Sequence, residues 1–235
     1  MKVIVIIPAY NETESIEGVI AELRAAQPDY DYVVINDCST DDTEAILKKN
    51  GYNYINLPVN LGIGGGVQTG YRYAVEHGYD IAIQMDGDGQ HDPAYLEALV
   101  KPVAGGGLDM SVGSRFVDKI GFQTSFMRRV GINFLCGLIK LLCGVKMTDA
   151  TSGFRACTRE LAQLFSENYA QDYPEPEAII AAVTAGFRVG EVAVAMRERQ
   201  GGTSSISPFK SVYYMIKVSI SIVLNRFMMK KRKNK

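Results

Sequence analysis

The sequence predicts an α/β fold in which a mainly parallel sheet carries helices on both faces. Three observations support this. Short apolar runs recur through the first 115 residues, amphipathic stretches separate them, and polar or glycine-rich loops follow them. Strands buried on both faces read as continuous apolar runs, and helical crossovers between them favour parallel pairing. A chain of 235 residues, 47% hydrophobic and 22% charged, is long enough and apolar enough for one α/β domain with a substantial core.

In chain order, VIVII (3–7) opens the sheet and an amphipathic stretch at 13–26 returns the chain to its starting edge. YVVIN (32–36) is the second strand, with a helix at 41–50. NYINL (53–57) is the third, with a helix at 65–77. DIAIQM (80–85) is the fourth, with a helix at 93–104, and DMSVG (109–113) is the fifth. Ligands of such sheets bind beyond the carboxyl ends of the strands. That rule gathers PAYNE (8–12), NDCSTDD (36–42), NLGIGGG (60–66) and DGDGQHD (86–92) around one crevice.

The texture changes after residue 115. Residues 125–147 form an apolar stretch interrupted by Arg128, Arg129, Lys140 and Lys146. Its uncharged centre is about half the ~20 residues of a membrane span, which suits an amphipathic helix lying in an interface. Residues 211–229 show the same compromise and run into KKRKNK, a tail that puts five positive charges on a chain of net charge −1. An apolar face joined to a polybasic end is a two-signal recipe for an anionic membrane surface. The expected division is therefore a catalytic-type domain over 1–205 and an amphipathic helix with a basic tail over 206–235. No charged n-region with a cleavage site precedes VIVIIP, so no secretory signal is expected. The four cysteines lack CxxC spacing and read as free thiols, and two histidines argue against a zinc site.

Asp86 and Asp88 end the fourth apolar run, with glycines at 87 and 89. Hard divalent cations take oxygen ligands and often bind through one or two carboxylates plus substrate phosphates. An Asp-Gly-Asp at a strand end suits Mg²⁺ or Mn²⁺, although acidic turns are common. NLGIGGG resembles a phosphate-cradling loop entering a helix but lacks the Gly-Lys-Ser/Thr of a Walker loop. Its glycines, Gly62 and Gly64 among them, equally suit close helix packing. His91 reads as a structural or supporting residue beside the acidic pair.

PAYNE, NDCSTDDT, NLGIGGG, DGDGQH, GSRF (113–116) and DATSGFR (149–155) occur together in an order that resembles the inverting glycosyltransferases of family 2, with their GT-A fold. The resemblance covers about residues 3–205 and is strongest to the branch that uses polyprenyl phosphates, which includes dolichyl-phosphate mannose synthase. It implies that Pro8, Tyr10 and Glu12 line a nucleotide pocket and that Asp37 reads the base. It further implies that Asp86 and Asp88 hold the metal beside Gln90. Arg115, Arg128 or Arg129, and Arg199 match positions that hold the acceptor phosphate. Two departures stand out: Ile63 replaces a lysine that relatives often carry, and DYPEPE (172–177) differs from other branches. Glu175 and Glu177 lie where those branches place sugar-sensing or base residues; a rigid solvated turn is the alternative.

The expected activity is inverting transfer of a sugar from a nucleotide-sugar to a polyprenyl (undecaprenyl) phosphate at the cytoplasmic membrane face. UDP-glucose or UDP-GlcNAc is favoured, and GDP-mannose is the alternative. A rival is transfer to a glycan hydroxyl, which needs a carboxylate base; Glu177 and Asp149 are available. The short, charge-broken carboxyl helix raises the expectation of a small integral membrane partner. Homo-oligomerisation stays open, and nucleic acid is not the expected partner.

Overall fold

The computed structural model describes residues 1–119, 121, 124–172, 174–198, 217, 219 and 220. Its seven strands are β1 (Val3–Ala9), β2 (Asp31–Asn36), β3 (Tyr54–Asn56), β4 (Ile81–Gln84), β5 (Met110–Ser114), β6 (Arg155–Thr158) and β7 (Val189–Ala193). They form one sheet of order β3-β2-β1-β4-β6-β5-β7. Every pairing is parallel except those of β6, which runs against both β4 and β5.

The helices are α1 (Ile16–Ala26), α2 (Thr43–Lys49), α3 (Gly62–Glu76), α4 (Leu96–Ala104), α5 (Phe126–Cys143), α6 (Arg159–Glu167) and α7 (Pro174–Ala185). Side chains alternate across the sheet because the strand period is two. Ile4 and Ile6 of β1 join a core with Val67 and Tyr71 of α3, Ile132 and Leu135 of α5, Phe165 of α6 and Ile179 of α7. Val5 and Ile7 point the other way, toward Ile16 and Leu23 of α1, Leu47 of α2 and Leu99 of α4. This two-sided burial is why β1 reads VIVIIPA with no exposed position.

The five strands and four helices expected over the first 115 residues all form, with ends shifted by a few residues. The 93–104 segment begins as a 3₁₀ turn, Pro93–Tyr95, before α4. The 125–147 helix is α5. Two strands and two helices come in addition, β6, β7, α6 and α7. DYPEPE is no solvated turn: Pro174 and Pro176 sit in the first turn of α7, where a missing backbone N–H costs nothing. Of the expected 211–229 helix only Lys217, Ser219 and Ile220 are described, and the basic tail lies outside the described residues. All four cysteines are free, and burial pushes the Cys157 thiol up to about 12.

Candidate active site

The reversed direction of β6 shapes the site. Its amino end lies beside the carboxyl ends of β4 and β5, with Arg155 paired to Gln84 and to Val112. The DATSGF loop therefore reaches the edge where PAYNE, NDCSTDD and DGDGQHD already meet. Six of the expected motifs converge there from distant parts of the chain.

The first two loops are latched to one another. Asn11, at φ 57°, donates its N–H to Ser39 Oγ and accepts from Thr40 N at 2.8 Å. Glu12 N donates to Thr43 Oγ1, and Thr13 Oγ1 donates to Asp41 at 2.5 Å. Burial pushes the Asp41 carboxyl up, but hydrogen bonds from Thr13 and Thr43 together hold it below its ordinary value. A cleft of about 440 Å³ lies between these loops, lined by Asn11, Glu12, Thr13, Glu14 and Thr40–Asp42. Tyr10 is exposed, and Pro8 O would lie 3.1 Å from a Cβ on Gly87. The PAYNE loop and the acidic loop are thus close to one another.

Asp37 is buried, and its Oδ1 accepts the Leu61 N–H at 2.7 Å. One carboxylate oxygen of the expected base-reading residue therefore anchors the turn into α3. Gly62 opens that helix at φ 75°. Gly64 is needed for close approach: a Cβ there would lie 2.1 Å from Ala170 O, and its N–H donates to Gln171 O. Between the two readings of this glycine-rich segment, the geometry gives Gly64 a packing role.

The acidic pair lies just beyond the end of β4. Asp86 follows β4 with its side chain one-third exposed (33%). Gln84 Nε2 approaches Asp86 Oδ1 at 3.3 Å, and Asp88 Oδ1 accepts the Gln90 N–H at 3.1 Å. A Cβ on Gly153 would lie 3.0 and 3.2 Å from the two Asp86 oxygens, so the absent side chain leaves that carboxylate its room. Among the described residues no group of three or more His, Cys, Asp or Glu gathers. Two carboxylates and an amide fit a hard cation that completes its shell with phosphate and water; they do not make a zinc cage.

The arginines divide. Arg115 is 8% exposed and its Nε and Nη2 make a bidentate pair with the fully buried Asp149, at 2.7 and 2.8 Å. Glu191 of β7 holds the same loop by accepting from Thr148 N, Thr148 Oγ1 and Asp149 N. Asp149 is thereby committed, which removes it as a base. Arg129 donates to Thr148 O and lies 3.5 Å over the Phe116 ring, whereas Arg128 is exposed in the first turn of α5. Arg199 lies outside the described residues. Glu177 is half-buried in the first turn of α7, beside the half-buried Glu175. Burial raises the Glu175 carboxyl against the opposing pull of Arg155.

Two residues of this site escaped the sequence reading. Gln84 is fully buried, touching Asp86 on one side and Tyr169 OH at 3.4 Å on the other. Arg155 is fully buried, donates to the carbonyls of Ser152 and Glu175, and leaves Nε without a partner among the described residues. The signal for both was a polar residue placed inside an apolar strand.

Residues 4–165 match Glycosyl transferase family 2. Over 88% of both chains, the sequence is 31% identical to the undecaprenyl-phosphate mannosyltransferase of Micrococcus luteus. It is 30% identical to the UDP-N-acetylglucosamine–dolichyl-phosphate N-acetylglucosaminyltransferase of Methanococcus voltae, across 94% of this chain and 97% of that one. In structure it resembles glucosyl-3-phosphoglycerate synthase from Mycobacterium tuberculosis, solved with Mn²⁺, UDP and phosphoglyceric acid. The TM-score is 0.72 at 23% identity, covering 96% of this chain and 78% of that one. That likeness extends to the fold.

Proposed function

This chain belongs to glycosyl transferase family 2, and we propose that it moves one sugar from a nucleotide-sugar to a polyprenyl phosphate at a membrane surface. The observation that carries this reading is the build of α5. Arg128 and Arg129 open the helix, and Phe126, Met127, Val130, Phe134 and Leu141 leave an apolar surface in water along it. An anion-binding end continuous with an apolar face suits an acceptor that is a phosphate attached to a hydrocarbon. No helix among the described residues is long and apolar enough to cross a membrane, so contact through this face and the basic tail is the mode proposed, on the cytoplasmic side.

The donor diphosphate is placed against Asp86 and Asp88, with the nucleoside toward Asp37 and the PAYNE loop. A divalent cation, Mg²⁺ or Mn²⁺, held by that pair would neutralise charge on the departing nucleoside diphosphate. An oxygen of the lipid phosphate attacks the anomeric carbon as the sugar–diphosphate bond breaks, inverting that carbon. The attacking oxygen is already anionic, so positioning by Arg128 and Arg129 replaces proton removal. Arg115, locked to Asp149, acts in this account by fixing the loop behind the acceptor. Glu177 would be the base if a hydroxyl were the acceptor.

A UDP-sugar is the donor favoured here, in keeping with the Methanococcus voltae relative; a mannosyl nucleotide is the second reading, in keeping with the Micrococcus luteus one. Truncating a charged hydrogen bond costs about 1.5–3 kcal/mol, or roughly 10- to 100-fold. Arg128→Ala should therefore lower kcat/KM for lipid phosphate by that factor and leave UDP binding unchanged. Equal activity of the variant on lipid phosphate would remove Arg128 from the acceptor site. Phe134→Asp with Leu141→Asp should reduce sedimentation with anionic vesicles while chemical unfolding shifts by no more than about 0.5 kcal/mol, as expected at exposed sites. Unaltered sedimentation would place the membrane contact elsewhere.

A further inference from the structure

His91 ends the DGDGQH motif, and its ring is packed against the residue that the motif presents. It is buried, with 6% of its surface exposed. Its Nδ1 accepts the backbone N–H of Asp86 at 3.0 Å. An imidazole that accepts at Nδ1 carries its proton on Nε2 when neutral. That Nε2 lies 3.8 Å from Asp86 Oδ2, so one ring faces both the backbone and the carboxylate of the same aspartate.

The ring has little freedom to leave. It stacks on Phe154, just ahead of β6, with centroids 4.7 Å apart and planes 10° from parallel. His91 forms an antiparallel bridge with Met196, and Gln90 O accepts the Arg197 N–H at 2.9 Å. The chain at Met196 and Arg197 thus backs the histidine. On the opposite side Gln84 approaches Asp86 Oδ1, and Gly153 leaves the carboxylate its space.

We propose that His91 is a positioning residue: its Nδ1 fixes the Asp86 main chain by a hydrogen bond, and its Nε2, 3.8 Å from Oδ2 and beyond hydrogen-bond reach, acts on the carboxylate electrostatically, so that Asp86 can hold a divalent cation. This rests on the reading that Asp86 and Asp88 bind that cation. A histidine spent only on packing would need its ring and its stack on Phe154, and neither nitrogen. The two contacts to Asp86 separate the roles, because Phe keeps the ring and removes both nitrogens. Gln carries an amide N–H near the place of Nε2.

The test is Mn²⁺ binding by the full chain in the presence of UDP, followed by the loss of the free-ion electron paramagnetic resonance signal. His91→Phe should weaken Mn²⁺ about 10- to 100-fold, as loss of groups that orient a ligand does, with the metal-free melting temperature preserved. His91→Gln should recover a measurable part of that affinity. Wild-type affinity in folded His91→Phe overturns the proposal. If that variant does not fold, folded His91→Gln and His91→Asn decide: equal and wild-type affinity in both overturns it, and a graded loss supports it. No Mn²⁺ uptake by the unsubstituted protein would instead overturn the metal reading beneath it.

Discussion

Asp88→Asn should abolish nearly all sugar transfer while the protein folds as before. The substitution keeps an oxygen to accept the Gln90 N–H and removes the negative charge. If the carboxylate holds a cation against the donor diphosphate, several kcal/mol of transition-state stabilisation depend on it, which is about 10²- to 10⁴-fold in rate. Metal-dependent UDP binding should weaken in parallel, whereas unfolding by urea should move by less than about 0.5 kcal/mol. A variant that keeps its rate would make the Asp-Gly-Asp an acidic turn and nothing more. Asp86→Asn is the harsher companion, because Gln84, His91 and Gly153 are all arranged around its carboxylate.

The largest effect on stability belongs to Asp149→Ala. It removes the carboxylate that pairs with Arg115 Nε and Nη2, and breaking a buried pair from one side costs about 3–5 kcal/mol. Replacing both partners with apolar residues of similar volume, Arg115→Met with Asp149→Leu, should restore most of the lost stability. The double variant would then be a folded protein with the Arg115 guanidinium absent. If it binds donor normally but turns over lipid phosphate poorly, Arg115 matters to the acceptor side through the loop it fixes. A loss below about 0.5 kcal/mol for Asp149→Ala would mean that water solvates Arg115 and that the pair is no buried clamp.

How much of this was legible before the structure depends on sequence distance. β1 to β5 and their helices were readable because each is a local pattern of apolar period. β6 and β7 were missed for the opposite reason. RACT is four residues long and VGEVA carries a glutamate; each becomes a strand only when neighbours from elsewhere in the chain cover it. α7 was obscured by its two prolines, which mark a turn in isolation and a helix start once the first-turn amides are taken into account.

The site divides in the same way. Asp86 and Asp88 announce themselves, because two charges ending an apolar strand need a reason. The commitment of Arg115 could not be read, since its partner lies 34 residues away and the sequence offered Asp149 for a different task. Gln84 and Arg155 sit opposite one another only because β6 runs antiparallel beside β4. Their polarity inside apolar strands was visible, but their common address behind Asp86 was not.

Family membership does not name the acceptor. The most direct measurement incubates the purified full chain with undecaprenyl phosphate, Mn²⁺ and, in turn, UDP-glucose, UDP-GlcNAc and GDP-mannose, reading the lipid fraction by mass spectrometry. The expected product is a glycosyl-phospho-undecaprenol from one donor, with a UDP-sugar first in order, and none when Mn²⁺ is chelated. Absence of any lipid-linked sugar, whichever donor is supplied, would rule out the polyprenyl phosphate as acceptor.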